Sequence, residues 1–551
     1  MIITFDIETT GLQYKVDTVT MLAVYYVDGT TKEIEHITNE IHQSFHRIIL
    51  SHPTATFVGH NIKFDLRFLE VEPDLVDTLH IVDTTILYHY CYPRDSKKLG
   101  DIETELFDTS VKKTYLERYG KDFSKWPKEE LQYYNESDVR LTYAVYNALY
   151  PKIDKNFLQF QQEYLKALYR LEFNGIAFDE KKAIESFDLI TGIHQEKQKN
   201  LIDDLHHYDV PNPHTINLNS SKQLSNLLYN LIGLDKPERY LYPSGKAFDK
   251  LFTATLTNAD LLEKIDHPWV KNFLEVKSIK SLATGIESYA SLSVDNRLYP
   301  SFNITGTVTG RLSCSKPNLQ NSSKNSGHKD LPSVRSLFRP NIGEKLYSID
   351  YQQQEIRMLA VLSQDKNLLD LVNQGVDMHT VVGCKMFKKD TLAKEERDLV
   401  KNIHFGMLYS LGISAIAFKI GQPFDYAESL VSDYYLNFPD VKLWMDETTE
   451  KARIDGSLTL FTGRIWDCLP GMAYQAVNAA IQGSCAELTA LAVIRCNKFL
   501  KRNGSGSLIS IIHDELLFSL RTDTLIPEII KIMEMEKLFG IKFLTDVDEK
   551  Y

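Results

Sequence analysis

The fold of this chain is decided by one stretch, Lys345-Leu346-Tyr347-Ser348-Ile349-Asp350-Tyr351-Gln352-Gln353-Gln354-Glu355-Ile356-Arg357. It starts as an apolar run typical of a β-strand, and Asp350 stands where that run stops. After Glu355, the apolar residues Ile356, Leu359 and Ala360 follow the helical period. A carboxylate at a strand-to-helix junction is held rigidly and can face a cleft, as a metal-binding catalytic aspartate must. Taken alone, such an Asp more often simply ends a strand or caps a helix.

A second acidic motif lies near the C-terminus, at Ser510-Ile511-Ile512-His513-Asp514-Glu515-Leu516-Leu517-Phe518. Apolar runs at residues 508–512 and 516–520 flank its acids, so the pattern predicts a β-hairpin with the acids at its tip. Hairpin tips are often polar because they are solvated, but strand residues bracket these acids closely. Two aspartates on adjacent strands could share two divalent ions and clamp both oxygens of a phosphoryl displacement.

Together these two motifs resemble the palm of the family A, or DNA polymerase I-like, DNA polymerases. The resemblance implies a right-hand polymerase fold with palm, fingers and thumb. It also implies two Mg²⁺ ions, with Mn²⁺ as a substitute, held by Asp350 and Asp514 with help from the backbone carbonyl of Tyr351. Glu515 would belong to the same catalytic set.

Length and composition predict an ordinary globular protein of three or four structural units, with 551 residues, 43% hydrophobic and 25% charged. No unbroken run of about 18 apolar residues occurs, so no membrane span is expected. The N-terminus lacks the basic and apolar regions of a signal peptide. The six cysteines are scattered without a Cys-x-x-Cys pair, which favours reduced thiols and a cytoplasmic protein, in the host if a phage encodes it.

The net charge of −12 argues mildly against a nucleic-acid partner, since such proteins normally show a basic footprint. A cleft can be basic while the outer surface is acidic. Clusters of metal-binding carboxylates also add to the acidic total. The charge is therefore a minor objection to a DNA-binding function.

Residues 1–150 have the pattern of an α/β domain. Asp6 and Glu8 lie two residues apart on the first predicted strand and so share one face. Asp65 is predicted to open a helix that runs through residue 69, and Tyr134 and Asp138 share one face of a helix that reaches residue 149. Each piece alone is better explained by an exposed strand face, an N-cap or a surface pair.

The four carboxylates and the tyrosine occur in the order that the DEDDy-type 3′–5′ proofreading exonucleases show, and they resemble that RNase H-like family. The motifs match at Asp6-Ile7-Glu8-Thr9, at residues 61–65 and at residues 134–138. The resemblance implies a working nuclease in which Asp6, Glu8, Asp65 and Asp138 hold two metal ions and Tyr134 helps to orient the attacking water.

Residues 151–300 are helix-rich, with polar, turn-rich stretches at 209–216 and 237–244, and a Ser-capped helix is expected after residue 219. This is compatible with a thumb that grips duplex DNA. Lys271, Lys277 and Lys280 are candidate phosphate contacts, although exposed lysines are usually just solvated. Arg311 follows Asp138 by 173 positions, a spacing that in the family leaves no room for a thioredoxin-type processivity insert.

The segment at residues 305–321 is rich in Gly, Ser, Pro and Asn and is predicted to be a loop. Its polar side chains suit contacts to phosphate and to base edges in a minor groove. It resembles the family segment that follows the primer–template duplex. The DNA-binding residues that the resemblance implies are Arg311, Asn318, Gln320, Asn478, Gln482 and His513. Tyr474 departs from the pattern, because cellular members often carry a basic residue there.

Arg397, Lys401, Phe405 and Tyr409 recur every four residues and line one face of a predicted helix. In the alternative interpretation, Arg397 and Lys401 are solvated and the two aromatic residues belong to the core. A helix face that packs in the core would not, however, continue with Arg and Lys. Arg and Lys can bind a triphosphate while aromatics pack on sugar and base. The helix resembles the family's fingers helix, with Ser410 in place of the usual Gly. The resemblance adds His379, Gln354 and Glu355 to the nucleotide site, with Glu355 excluding a 2′-hydroxyl.

The domain order expected from these motifs is exonuclease (1–150), thumb (151–300), palm (301–363), fingers (364–470) and palm again (471–551). The function expected is a DNA-directed DNA polymerase with 3′–5′ proofreading, without a 5′-nuclease domain, as in compact phage-type replicases. Expected partners are primer–template DNA, dNTPs, and a helicase/primase or single-stranded-DNA-binding protein, with the chain itself a monomer. The rivals are an exonuclease with a degenerate polymerase module and a non-enzymatic DNA clamp.

Overall fold

A computed structural model describes residues 1–235, 257–374, 376–409 and 411–549. The turn-rich stretch at 237–244, Ser410 and the side chain of Phe405 are sequence predictions that fall outside the described residues. The helix that carries Phe405 is described.

The N-terminal domain is built on a five-stranded sheet. Its strands are β1 (Ile2–Thr9), β2 (Val19–Asp28), β3 (Thr31–Ile37), β4 (Thr56–Gly59) and β5 (His80–Asp83). The spatial order is β3-β2-β1-β4-β5, with β1, β2 and β3 antiparallel and β1, β4 and β5 parallel. This confirms the predicted α/β class and puts β1 at the centre of the sheet, where its side chains are covered on both faces.

Seven helices surround this sheet. They are α1 (Ile41–Ser51), α2 (Ile62–Phe68), α3 (Pro73–Thr78), α4 (Thr84–Cys91), α5 (Leu99–Phe107), α6 (Val111–Tyr119) and α7 (Lys128–Leu149). The expected opening of a helix at Asp65 is wrong, because Asn61 adopts a left-handed conformation and the helix begins at Ile62. Asp65 therefore lies inside α2 with its side chain buried, which removes the alternative of a solvent-exposed cap.

The next segment is helical, as expected. It contains α8 (Lys155–Asn174), β6 (Ile176–Phe178), α9 (Glu180–Asp203), α10 (Ser221–Asn226), α11 (Ala259–Leu262) and α12 (Pro268–Ala290). The predicted serine cap is Ser220, whose side chain accepts a hydrogen bond from the Gln223 amide. Helices α9 and α12 pack along each other, and their outer ends enclose a separate small core around Trp269 and Phe273.

Short strands lead from this segment to the C-terminal sheet: β7 (Arg297–Leu298), β8 (Ser301–Asn303), β9 (Ser313–Ser315), β10 (Phe338–Arg339) and β11 (Lys345–Tyr351). The predicted loop at 305–321 is irregular apart from β9 and a 3₁₀ turn at Leu319–Asn321. Strand β11 and the following helix α13 (Gln354–Ser363) confirm the strand-to-helix change expected around Asp350.

A helical region follows α13 and carries the predicted nucleotide-binding helix, α16. It contains α14 (Lys366–Asn373), α15 (Met378–Phe387), α16 (Lys394–Leu408), α17 (Ile413–Ile420), α18 (Phe424–Asn437), α19 (Pro439–Asp455) and the hairpin β12 (Ser457–Thr459) and β13 (Ile465–Asp467). The last turn of α16 ends one residue before Tyr409, although the four-residue spacing predicted that Tyr409 lies within the helix.

The C-terminal part returns to the sheet. It consists of α20 (Ala476–Asn503), β14 (Gly506–Ile512), β15 (Glu515–Leu520), α21 (Ile526–Glu534), α22 (Glu536–Phe539) and β16 (Thr545–Glu549). The sheet is antiparallel with the order β14-β15-β11-β16. The predicted hairpin is confirmed, with Asp514 in its turn, so the sheet brings the two acidic motifs of the sequence side by side.

Helix α20 crosses behind this sheet. The segment Ala473–Asn503 is long and apolar enough by length and composition to cross a membrane, which the criterion of an unbroken apolar run did not register. However, 83% of its most apolar window is buried inside the protein. Packing against the sheet and the neighbouring helices accounts for its composition.

A buried ion cluster fastens the N-terminal domain to the rest of the chain. Glu172 on α8 is 1% exposed and pairs with both Lys63 and Arg67 on α2, the latter at 3.3 Å. The two cations also donate to the carbonyl oxygens of Phe302 and Pro300, and Glu172 accepts from the Phe302 amide at 2.7 Å. Each charge is therefore paired and hydrogen-bonded, the condition for burying it without a large net cost.

We expect Glu172→Gln to lower the free energy of unfolding by about 3–5 kcal/mol, because it leaves two buried cations without their anion. Urea unfolding measures the change. The control is Glu70→Gln, which removes the half-exposed partner of Lys15 and is expected to change the same quantity by less than about 1 kcal/mol. Equal effects of the two substitutions would contradict the role given to Glu172.

Candidate active sites

The first acidic cluster forms between β1 and α7. Asp6 and Glu8 alternate with Ile7 on the central strand, and Asp138 lies on the helix that packs against it. Carboxylate oxygens of these three residues all lie within 4.8 Å of one another. Asp65 is not part of this group of three, but its Oδ1 accepts a hydrogen bond of 3.2 Å from the Ile7 amide, which places it beside the same strand.

The helix α7 also supplies Tyr134 and Asn135 to the cluster. Tyr134 lies one turn before Asp138, as predicted, and its side chain is buried. Burial, followed by the charge of Asp138, raises the pKa of Tyr134 to about 12, so its hydroxyl keeps its proton. Asn135, which the sequence motifs did not single out, donates to Asp6 Oδ2 at 2.8 Å. No motif in the sequence would have indicated this amide.

Lys112 is a further residue that the sequence did not reveal. It lies at the start of α6, pairs with Asp138 Oδ2, and its Nζ is 4.2 Å from the centroid of the Tyr134 ring. Burial by itself lowers the pKa of Lys112, but Asp138, Tyr134 and Asp6 outweigh burial and raise it above the ordinary lysine value. Since Lys112 belongs to a stretch without unusual composition, only the tertiary structure shows that it faces the acids.

The cluster has the electrostatics of a divalent-cation site. Burial, and then the charge of Asp138, raises the pKa of Asp6 to about 7, and burial also raises the pKa values of Glu8, Asp65 and Asp138. Asp138 Oδ1 is buried without a hydrogen-bond partner. Oxygen ligands that repel one another and lack partners suit a hard cation such as Mg²⁺. The residues present therefore fit the metal that the resemblance implies.

The second acidic cluster lies in the C-terminal sheet. Asp350 stands near the end of β11, opposite Glu515 of β15, and the Tyr351 amide donates to the carbonyl oxygen of Asp514 at 3.4 Å. Burial, and then the charge of Asp514, raises the pKa of Asp350 to about 6, and burial also raises the pKa of Asp514. Asp350 Oδ1 is buried without a partner. The two aspartates thus offer carboxylate oxygens that a divalent cation would neutralise.

Glu515 has a different environment from the two aspartates. Both of its oxygens accept hydrogen bonds from Arg335 Nη1, at 2.7 and 2.6 Å, and Ser348 donates to it as well. Lys324 Nζ lies 3.1 Å from Glu515 and 3.7 Å from Asp350. The catalytic role of Glu515 stays a prediction. What the structure adds is a buried Arg335–Glu515 pair that ties β15 to the 3₁₀ turn Val334–Leu337.

The side chain of Tyr351 belongs to the core rather than to the cluster. Its ring is buried, and its hydroxyl donates to the Met533 carbonyl oxygen at 2.9 Å. Only its backbone carbonyl could therefore serve as the expected metal ligand.

A cavity of about 350 Å³ opens beside Asp514 and is lined by several of the predicted DNA-binding and nucleotide-binding residues, namely Arg311, Gln320, Gln354 and His513. Some of their polar groups are already paired. The side-chain amide of Gln354 donates to Thr489 Oγ1 at 3.0 Å, and the side-chain amide of Gln320 donates to the Leu312 carbonyl oxygen at 2.9 Å. His513 is exposed and adopts a left-handed conformation in the hairpin turn.

Glu355 links three separate segments at this cavity. Its carboxylate accepts from Arg311 Nη2 at 2.6 Å and from the Tyr409 hydroxyl at 3.5 Å, and the side chain is 14% exposed. Burial raises the pKa of Glu355, while Arg311 opposes the shift. The carboxylate is therefore held in one position, between the loop at 305–321 and the end of α16.

The predicted phosphate-binding residues differ in their surroundings and in their hydrogen-bond partners. Arg397 is paired with Asp377, with Nε 2.6 Å from Oδ2, and Thr380 and Gln353 donate to the same carboxylate. His379 is buried, with Nδ1 3.0 Å from Nδ1 of His404.

Burial lowers the pKa of His379 to about 4, which leaves its ring neutral near pH 7. A phosphate contact from His379 stays a prediction. Lys401 is exposed on α16, so the two predicted cations of this helix differ in environment.

The remaining predicted DNA contacts, Asn318, Asn478 and Gln482, do not line the cavity. Asn478 and Gln482 are half-buried, four residues apart on α20. Asn318 is exposed, and its side chain caps the 3₁₀ turn by accepting a hydrogen bond from the backbone amide of Gln320 at 3.1 Å. The contacts of these residues with DNA stay predictions.

Residues 192–548 match the family model described as DNA polymerase family A, and residues 2–154 match the model described as 3′-5′ exonuclease. Among curated relatives, the chain is 28% identical over 498 residues to DNA polymerase I of Helicobacter pylori strain J99, covering 85% of this chain and 51% of the relative. It is 32% identical over 326 residues to the thermostable DNA polymerase I of Thermus aquaticus, covering 55% of this chain and 37% of the relative.

The chain spans about half the length of the first curated relatives it matches. Among solved structures, its fold is similar to the POL domain of Pol1 from M. smegmatis in complex with DNA primer-template and dNTP. The TM-score is 0.81 at 22% identity, and the match covers 99% of this chain and 94% of the other.

The raised pKa of Asp350 predicts a pH dependence of stability in metal-free buffer. A carboxyl whose pKa is higher in the folded than in the unfolded protein stabilises the fold while it is protonated, so this stabilisation is lost as the pH rises from about 4 through about 6. We therefore expect Asp350→Asn to become more stable relative to the parent protein between pH 5 and pH 7.5. Unfolding in urea with a chelator at several pH values measures the difference.

The matched control for this pH series is Asp546→Asn, at the exposed position opposite Asp350 on β16. Its stability relative to the parent should not follow the same trend, because an exposed carboxylate loses little hydration on folding. If the stability difference between Asp350→Asn and the parent did not change with pH, the electrostatic description of the cluster would be wrong.

Proposed function

The chain belongs to DNA polymerase family A and carries a 3′–5′ exonuclease domain, and from this premise we propose that it extends a primer 3′ end with dNTPs and proofreads that end. The observation that supports both activities is the presence of two separate acidic clusters, one around Asp6 and Asp138 and one around Asp350 and Asp514. In the first, carboxylate oxygens lie within 4.8 Å of one another, and in the second, the charge of Asp514 helps to raise the pKa of Asp350. A protein that only clamps DNA would have no use for either cluster.

In the polymerase site, Asp350 and Asp514 would hold Mg²⁺, with the backbone carbonyl of Tyr351 as a further ligand and Mn²⁺ as a substitute. When bound, divalent cations would activate the primer hydroxyl and neutralise charge on the phosphates. Lys324 and Arg335 compensate part of the negative charge around Asp350, and Ser348 on β11 donates to Glu515 on β15. The sheet thereby keeps both aspartates in place.

Nucleotide binding would use the side chains between α13 and α16. Arg397 and Lys401 would bind the triphosphate, and the phosphate would replace Asp377 as the anion beside Arg397. Phe405 and Tyr409 would pack on the sugar and base, and the carboxylate of Glu355 would stand against a 2′-hydroxyl. Arg311, Asn318, Gln320, Asn478, Gln482 and His513 would contact the primer–template. The similar M. smegmatis structure is a complex with DNA primer-template and dNTP, which supports the same ligands for this chain.

In the exonuclease site, Asp6, Glu8, Asp65 and Asp138 would hold the metal ions. Tyr134 keeps its phenolic proton and would donate a hydrogen bond to the attacking water or to the scissile phosphate. Asn135 orients Asp6 from the same helix. Because this cluster and the polymerase cluster lie on different sheets, one primer end would have to move between them.

We further propose that the protein is a monomeric, cytoplasmic replicative polymerase of a phage that works with a helicase/primase or a single-stranded-DNA-binding protein. The second candidate function is an exonuclease whose polymerase module only binds DNA. The raised pKa of Asp350 and the fixed position of Glu355 favour an active polymerase site over this alternative.

The two activities should be separable by substitution. Asp6→Ala combined with Glu8→Ala should lower degradation of single-stranded 3′ ends at least about a hundredfold, the scale on which lost charge stabilisation acts, while primer extension survives. Asp514→Ala should do the reverse. Gel assays with a labelled primer, with and without a template, measure both rates in Mg²⁺.

Asp28→Ala, at the exposed end of β2, is the control for the first pair of substitutions. Loss of extension in the Asp6/Glu8 variant as severe as its loss of degradation would contradict the proposal of two independent sites. A protein that degrades but never extends, even before any substitution, would support the second candidate function instead.

Glu355→Ala should relax the choice of sugar, because it removes the fixed carboxylate proposed to stand against a 2′-hydroxyl. In a background lacking Asp6 and Glu8, we expect ribonucleotide incorporation relative to deoxyribonucleotide to rise roughly tenfold or more, which corresponds to about 1.4 kcal/mol of lost discrimination. Single-nucleotide extension with rNTP and dNTP measures this ratio. An unchanged ratio would remove Glu355 from this role.

A further inference from the structure

We propose that Lys112 is a built-in counter-ion of the exonuclease cluster, which competes with divalent cations for Asp138 and positions the ring of Tyr134. This inference rests on the proposed exonuclease function and adds to it a residue that controls how readily the cluster takes up metal. It concerns this chain's own side chain and assigns it as a positioning residue, not as a metal ligand.

The backbone of Lys112 is held in place by hydrogen bonds that do not involve its side chain. Glu103 on α5 is buried, and its carboxylate accepts hydrogen bonds of 3.0 Å from the amides of Val111 and Lys112 and from the Thr109 hydroxyl. These bonds satisfy the free amides at the start of α6. The first turn of α6, and with it the origin of the Lys112 side chain, is therefore attached to the domain core.

The side chain then runs into the cluster. It is 12% exposed, its ammonium pairs with Asp138 Oδ2, and it lies over the face of Tyr134 at 4.2 Å. A lysine next to an aromatic face and a carboxylate is attracted by both. The neighbouring residue Lys113 points elsewhere, because it is 45% exposed and pairs with Asp101 at 3.1 Å. Only one of these two adjacent lysines is committed to the acids.

The carboxylates around Lys112 come from three elements: Asp6 and Glu8 from β1, Asp138 from α7 and Glu103 from α5. One ammonium cannot neutralise all of them, and Asp138 Oδ1 is left without a partner. An ammonium and a divalent cation both need carboxylate oxygens of this cluster. Uptake of the divalent cation must therefore displace the ammonium from Asp138 or share this carboxylate with it.

This competition gives Lys112 a signature that a merely structural lysine would lack. Removing its charge should tighten metal binding, because the competitor is gone and the carboxylates repel one another more strongly. It should also slow cleavage at saturating metal, because Tyr134 loses the cation that holds its ring. Loss of a purely structural contact would loosen the cluster and would weaken metal binding and cleavage together.

The test uses the full chain with Asp350→Asn and Asp514→Asn, so that the polymerase cluster does not contribute to binding. Mn²⁺ is titrated without DNA, and free Mn²⁺ is followed by electron paramagnetic resonance. We expect Lys112→Met to lower the Kd for Mn²⁺ roughly tenfold or more, since a unit charge a few ångströms away has been removed. Lys113→Met is the matched control and should stay within about twofold.

Lys112→Arg keeps the charge and should bind Mn²⁺ like the parent. If Lys112→Met does not fold, as judged by circular dichroism, Lys112→Gln replaces it with the same expectation. An unchanged or raised Kd in a folded variant without the charge would overturn the proposal.

Degradation of single-stranded 3′ ends in saturating Mg²⁺ is measured on chains that carry the same polymerase substitutions. Slower cleavage together with a lower Kd supports the inference, and faster cleavage would overturn the role given to Lys112 in holding Tyr134. A chain that never degrades DNA, even with Lys112 intact, would refute the proposed exonuclease function. The comparison of Kd values would still decide whether Lys112 competes with metal, so the two failures are distinguishable.

Discussion

The structure depends on holding carboxylates close together at buried and partly buried positions. Ionised acids repel one another and lose hydration when they are buried, so a chain can keep them together only on rigid supports. Here the supports are the central strand β1 and the strand β11, each with neighbours on both sides. The loss of hydration is the main cause that raises the pKa values of Asp6 and Asp350.

In each of the two clusters, repulsion between the carboxylates is reduced by polar or positively charged partners, and these partners differ between the clusters. At the exonuclease cluster, Lys112 lies against Asp138 and Tyr134, and Asn135 donates to Asp6. At the polymerase cluster, Arg335 is committed to Glu515, and Lys324 lies between Glu515 and Asp350. In both places a lysine neutralises part of the charge while carboxylate oxygens remain without partners, which leaves a position that a divalent cation can stabilise further.

The rigid supports are also fastened to each other. Glu172 reaches from α8 to two cations on α2, and its neighbours Phe302 and Pro300 belong to the segment that leads into the C-terminal sheet. A buried ion network thus ties the domain of the exonuclease cluster to the segment that leads to the polymerase cluster. Charges at such a seam select one arrangement, because any shift would leave one of them buried and unpaired.

The sequence by itself determined the local features whose signal lies within a few residues. The strand-to-helix change at Asp350, the hairpin around Asp514, the pairing of Asp6 with Glu8 and that of Tyr134 with Asp138 all follow from hydrophobic period and spacing, and the structure confirms each of them. The predicted start of α2 at Asp65 is wrong. Asn61 adopts a left-handed conformation, and the helix begins directly after it, three residues before Asp65. Only the tertiary structure decided which charges meet: Lys112 with Asp138, Arg335 with Glu515, Arg397 with Asp377 and Glu172 with Lys63 and Arg67. These partners are separated by 20 to 180 positions of the chain. A residue's local pattern carries no information about a partner that far away, because the contact exists only once the sheets and helices have packed.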